Sequence, residues 1–201
     1  MVFVRSALER GVGKRCRAAR HFRILPRISV ESRRARRFEK PQTGRIITTD
    51  SIEHLRELFI YNDWANRRVI NALKSVESES SRRILAHLLI TEREYYERLY
   101  GKDSFGFEFW QNLSLEECGG LARENAERFE KLLRKFDDEG LDLKTSYRTS
   151  EGVWCENTFR ELLTHVLFHS SIHRGNSISK LREENHPPPQ IDYIIYLRET
   201  G

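Results

Sequence analysis

The sequence holds no apolar run approaching the ~20 residues that a membrane-spanning helix needs, so no transmembrane segment is expected. Cysteine is scarce: Cys16, Cys118 and Cys155 make an odd set with no CxxC pair. That excludes a zinc ribbon and a thioredoxin-type motif, and reads as free thiols in a reducing compartment. Acidic residues are nearly missing from positions 1–48, where 12 Arg and 2 Lys face only Glu9, Glu31 and Glu39. No apolar core of the needed length follows the first charges there, which argues against a secretory signal. No internal repeat or low-complexity tract appears after residue 48.

What remains is a chain of 201 residues, 38% hydrophobic and 32% charged, the balance of a surface-charged, mostly helical protein with room for one core. The net charge of +5 averages two unlike regions. Residues 1–48 carry +11, and residues 49–201, with 21 basic and 27 acidic residues, carry −6. Such asymmetry separates a tail from a body. Arg33, Arg34, Arg36 and Arg37 repel one another, and glycines and prolines interrupt any long element, so 1–48 is expected to be a disordered basic extension. It fits a transit peptide, an arm for nucleic acid or anionic membrane, or a segment without a role, the last being preferred. The acidic body argues against duplex binding by the body itself.

Residues 49–201 read as one all-α domain. Asp50 and Glu53 predict a capping box for a helix running to about Lys74, carrying Ile52, Leu55, Leu58 and Phe59 at helical spacing. A second helix is expected from Ser80 or Ser81 to Gly101, with Ile84, Leu88, Tyr95 and Leu99 buried. A third is expected from Ser114, with Glu117 three residues on, to a stop at Gly140. Residues 141–157 suggest a hairpin or ordered loop around Ser150-Glu151-Gly152. Thr158 and Glu161 open a fourth helix to about Glu184, before Pro187-Pro188-Pro189. A short last helix near Asp192–Arg198 should place Ile194, Ile195 and Leu197 on the bundle. Four long helices with short connections predict an antiparallel four-helix bundle.

The chemistry sits on the fourth helix. His165, His169 and His173 recur every four residues, and at ~100° per residue they share one stripe. Leu162 and Val166 flank it on one side, Phe168 and Ile172 on the other, which predicts an inward-facing stripe. Two histidines at i, i+4 form a metal clamp, and a third ligand must come from another helix. His87, between Ile84 and Leu88 on the apolar face of the second helix, is the candidate. A lone buried histidine is more often a hydrogen-bonded core residue; three on one stripe and a fourth on a second apolar face favour a metal. Spacing permits either adjacent pair of the stripe as the clamp.

Several stretches together resemble the DinB family. Leu58-Phe59-Ile60-Tyr61-Asn62-Asp63-Trp64-Ala65-Asn66 is similar to its YNxWAN signature. Ala86-His87-Leu88-Leu89 followed by Glu92, and His165-Val-Leu-Phe-His169-Ser-Ser-Ile-His173-Arg174-Gly175-Asn176, are similar to its ligand motifs. The C-terminal stretch from Pro187 resembles the family's end, so the resemblance covers roughly 50–200. It implies an antiparallel bundle, a homodimer, and one divalent ion (zinc, nickel or iron) on His87, His169 and His173. His165 then supports the clamp from one turn away, or serves as an alternative ligand. Arg174 and Asn176 are candidate pocket residues; Asn176 stands where the family has Gln, one methylene longer. Trp64 is expected in the core, and Asn62 and Asn66 at helix contacts.

Three neutral imidazoles leave the ion its full charge and an open position. The resemblance therefore implies a metal-dependent enzyme, a thiol S-transferase in detoxification or stress response using a low-molecular-weight thiol and an electrophile. The alternatives are a metal-dependent hydrolase and a non-catalytic, stress-induced metal-binding protein, the latter favoured if Glu or Asp closes the fourth position. No individual catalytic residue is identifiable. The expected location is cytoplasmic, or organellar if 1–48 is a transit peptide.

Overall fold

The computed structural model describes residues 51–201. The basic segment 1–48, Cys16 and the capping residue Asp50 lie outside the described residues. Five helices are present: α1 (Ser51–Leu73), α2 (Glu79–Leu99), α3 (Leu115–Leu133), α4 (Phe159–Glu183) and α5 (Tyr193–Thr200). A 3₁₀ turn at Gly140–Asp142 and an antiparallel hairpin, β1 (Lys144–Arg148) and β2 (Trp154–Thr158), lie between α3 and α4. No helix among the described residues is long and apolar enough to cross a membrane.

Local chemistry sets the helix ends. Ser114 with Glu117, and Thr158 with Glu161, form complete capping boxes at the starts of α3 and α4. Helix α2 starts slightly earlier than the sequence suggests, because Ser78 accepts the Ser81 amide. It ends in a Schellman motif: Gly101 takes φ 71°, its N–H bonds to Arg98 O, and Lys102 N–H reaches Glu97 O. Helix α4 ends the same way with Asn185 at φ 61°, Asn185 N–H on Arg182 O and His186 N–H on Leu181 O. Glu53 pairs with Arg56; its expected capping contact with Asp50 lies outside the described residues. The Asp138 carboxylate accepts the Ser51 and Ile52 amides at 3.1 and 2.8 Å. Helix α3 ends at Leu133, seven residues short of the stop expected at Gly140.

The helices form a bundle in which α1 faces α3 and α2 faces α4, both antiparallel. Phe59 meets Phe129, and Arg56 reaches the Leu133 carbonyl. Ser81 meets Ser177 at one end of α2, and Tyr95 stacks on His165 towards the other. Helices α2 and α3 instead run in the same direction: Arg82 bonds Leu113 O, Asn125 bonds Leu89 O, and Tyr96 meets Phe129. Their connection, residues 100–114, is therefore a crossover along the bundle and not the short turn expected.

Two apolar clusters fill the interior. One centres on Val69, Leu85, Leu88, Leu89 and Leu181; the other on Phe59, Phe129, Leu133, Leu163 and Val166, closed at its end by Leu141 and Tyr147. Between them lies a buried polar layer. Glu92 Oε1 accepts Asn62 Nδ2, Asn66 Nδ2 and Ser170 Oγ at 2.7, 3.0 and 2.8 Å, and Glu92 Oε2 accepts Asn125 Nδ2 at 3.2 Å. Arg174 Nη1 donates to the Oδ1 atoms of both Asn62 and Asn66. The two asparagine amides thus stand between a buried carboxylate and a buried guanidinium, with a donor for one and an acceptor for the other.

Two sequence expectations need correction. On α5, Ile194 and Leu197 are exposed; Tyr196 is the buried residue, set against Tyr61 and Trp64 of α1. On α4, Phe168 and Ile172 are 67% and 62% exposed. The buried face there is Leu162, Leu163, Val166, Ser170, Arg174, Ser177, Ile178 and Leu181. The histidine stripe lies at its border, where α4 meets α2, because a polar side chain, Ser170 or Arg174, occupies the position beside each of His169 and His173.

Candidate metal centre

Helix α2 supplies His87, and α4 supplies His169 and His173. Ring centroids are 5.3 Å apart for His87 and His169, 4.6 Å for His87 and His173, and 4.3 Å for His169 and His173. One candidate ligand atom from each lies within 4.8 Å of the others. Small side-chain rotations can bring three nitrogens onto one cation at the ~2.0–2.1 Å bonds usual for imidazole. Among the described residues no fourth His, Cys, Asp or Glu joins this group, so the carboxylate that would favour the non-catalytic alternative has no candidate among them.

The crossover shapes the His87 side. Phe109 O lies 3.1 Å from His87 Nδ1. A carbonyl only accepts, so Nδ1 carries the proton and Nε2 keeps a free lone pair. Trp110, half-exposed, stacks on the His87 imidazole at 3.8 Å and 6°, and lies 6.3 Å edge-on from His173. His169 and His173 make no hydrogen bond among the described residues, and their Nδ1 atoms are buried without a partner. Imidazoles stripped of water with no protein partner are costly unless something else binds them, and a divalent cation suits this donor set.

Burial keeps these rings neutral. His169 is pushed down to about 3, first by burial and then by the neighbouring His173, His87 and His165. His173 lies below its ordinary value through burial and the nearby His87. Burial also lowers His87, partly offset by the Phe109 hydrogen bond. A neutral ring presents the lone pair that a metal needs without first losing a proton.

The other sequence candidates fall elsewhere. His165 is exposed, stacked on Tyr95 at 4.4 Å, with its ring 5.6 Å from that of His169; it is outside the three-histidine group. Arg174 is 1% exposed and belongs to the polar layer, so it does not line an open pocket beside the histidines. Asn176 is exposed. Trp64 is half-buried beneath Arg68, whose guanidinium lies 4.4 Å from its ring. Sequence reasoning missed Phe109 and Trp110. The only local signal was an aromatic cluster, Phe105, Phe107, Phe109 and Trp110, in a segment rich in turn-formers.

The sequence model described as DinB family matches residues 48–200. The chain is similar to Protein DinB of Bacillus subtilis (strain 168), with 26% identity over 162 residues, covering 72% of this chain and 94% of that protein. No solved structure matches.

Proposed function

Because the chain belongs to the DinB family, we propose that it is a divalent-metal-dependent thiol S-transferase of detoxification or stress response, holding zinc, nickel or iron on His87, His169 and His173. The observation that carries the reading is three neutral imidazoles with candidate ligand atoms within 4.8 Å and no fourth side-chain ligand beside them among the described residues. An ion held there supplies Lewis acidity that lets a bound thiol ionise near neutral pH. Phe109 fixes the His87 tautomer, and Trp110 covers one side of the site. The exposed edge between α2 and α4 leaves the approach for a thiol and its electrophile. That no carboxylate closes the group among the described residues weighs against a purely structural site.

The homodimer belongs to the same proposal. Phe168 and Ile172, one turn apart on α4 and both exposed, give it an apolar contact.

Cysteine as the thiol and monochlorobimane as the electrophile provide the test. Conjugation by protein loaded in turn with zinc, nickel or iron should exceed the chelator-treated sample at least tenfold. Conjugation no faster with any metal than with chelator, combined with hydrolysis of an activated ester by the loaded protein, would instead support the hydrolase. Full metal loading with neither activity would support the non-catalytic reading.

A further inference from the structure

A cleft of about 450 Å³ opens between α1 and α3, and none of the histidines lines it. Its size falls in the ~300–1,000 Å³ range of small-molecule sites. The space exists because α3 presents short side chains there, Ala122, Asn125 and Ala126. Phe59 and Phe129 give it aromatic walls. Its rim charges are largely matched: Glu53 pairs with Arg56, Asp63 with Arg67, and Glu130 with Arg134. A matched rim does not select a ligand by charge.

The floor does select. It includes Asn62, Asn66, Glu92 and Asn125, each at most 4% exposed. Glu92 Oε1 already has three donors, while Oε2 has only Asn125 Nδ2, at 3.2 Å. Asn125 commits Nδ2 to Leu89 O and to Glu92, and its Oδ1 is buried with no partner. Asn125 Oδ1 is thus an unpaired acceptor and Glu92 Oε2 an acceptor with one long hydrogen bond and a lone pair to spare, and an unpaired buried acceptor is unfavourable until a donor reaches it. A carboxylate or phosphate would bring more acceptors towards Glu92. An ammonium would upset a carboxylate already balanced, through Asn62 and Asn66, by Arg174.

We propose that this cleft is a second ligand site, taking an uncharged small molecule with an apolar body and a terminal NH₂ group, a primary amide or aromatic amine. The body lies against the edges of Phe59 and Phe129, whose rings are packed on each other at 4.5 Å. The two N–H bonds serve Asn125 Oδ1 and Glu92 Oε2. The site is independent of the metal chemistry proposed above.

Full-length ¹⁵N-labelled protein titrated with benzamide provides the test. The Asn125 side-chain amide signals should shift and saturate. N,N-dimethylbenzamide, which lacks donors, and benzoate, which offers only acceptors, should bind at least tenfold more weakly. Ala126→Phe fills the cleft from a half-buried position and should abolish benzamide binding, with metal uptake unchanged. No saturable shift up to the solubility limit overturns the proposal. So does equal binding of the three probes, a comparison made on the unaltered protein, or benzamide binding that survives Ala126→Phe.

Discussion

Consider His169→Ala in protein stripped of metal by a chelator. If His169 were a core histidine, truncation would remove a packed ring and a satisfied hydrogen bond, and would cost roughly 2–5 kcal/mol by analogy with large-to-small core changes. Its surroundings indicate otherwise. The ring is half-buried, makes no hydrogen bond among the described residues, and borders two other unprotonated imidazoles. Removing it from metal-free protein should change stability by less than ~1 kcal/mol, about 2–4 °C in Tm at this size. The metal-loaded comparison should show the reverse. With free metal at ~1,000 times Kd, the unaltered protein gains about 4 kcal/mol, or roughly 8–16 °C. With one of its three imidazoles gone, the variant should lose nearly all of that gain. Thermal unfolding with chelator, zinc or nickel measures both numbers. A variant that melts at least ~8 °C lower without metal, yet keeps the full metal-induced rise, would refute the ligand assignment.

Acid should destabilise the metal-free protein. An unfolded chain takes up protons on these histidines near 6.5, whereas the folded chain resists until the lowered values, about 3 for His169. The unfolded state thus binds more protons in that window, so stability is complete above about 6.5 and falls towards pH 3, by up to ~1.4 kcal/mol per pH unit per histidine; equal urea midpoints at pH 7 and pH 5 would contradict this. Arg174→Leu strips Asn62 and Asn66 of their shared donor and leaves the Glu92 charge buried without its counterpart, costing about 3–5 kcal/mol in urea unfolding, and a loss under ~1 kcal/mol would rule that account out. Trp110 stacks on His87, so copper or nickel binding should quench part of the tryptophan emission, and Trp110→Ala should remove that part. Undiminished quenching in that variant would place the ion elsewhere.

The helices were legible because their signals are local. Ser114 with Glu117 and Thr158 with Glu161 mark starts within four residues, and each is a complete capping box in the fold. The three-histidine cluster was also partly legible, since four-residue spacing fixes two rings on one helix. Choosing the pair required the resemblance, because helical spacing treats His165 and His173 alike. The orientation of α4 was misread. Phe168 and Ile172 look like core residues on hydropathy alone, while the interior is held by Ser170, Arg174 and Ser177, whose burial depends on partners from other helices. The same holds for Asn62 and Asn66. Their spacing fits a helix contact, but nothing local reveals that they separate Glu92 from Arg174.

That polar layer has a consequence for the metal centre. Ser170 follows His169, and Arg174 follows His173, so each α4 histidine of the candidate centre sits beside a residue anchored to the layer. Ser170 is held by Glu92 of α2, and Arg174 by Asn62 and Asn66 of α1. Apolar packing alone tolerates small rotations of a helix about its axis, because dispersion contacts are non-directional. Hydrogen bonds in a dry interior are directional, and a break there is costly. The layer therefore resists rotation of α4 and keeps the two histidines aimed at α2. His87 is fixed differently, by one carbonyl and one indole of the crossover. The α4 side of the centre is thus set by the bundle interior, and the α2 side depends on a surface loop. Changes in the shape of the candidate site should arise first at residues 100–114.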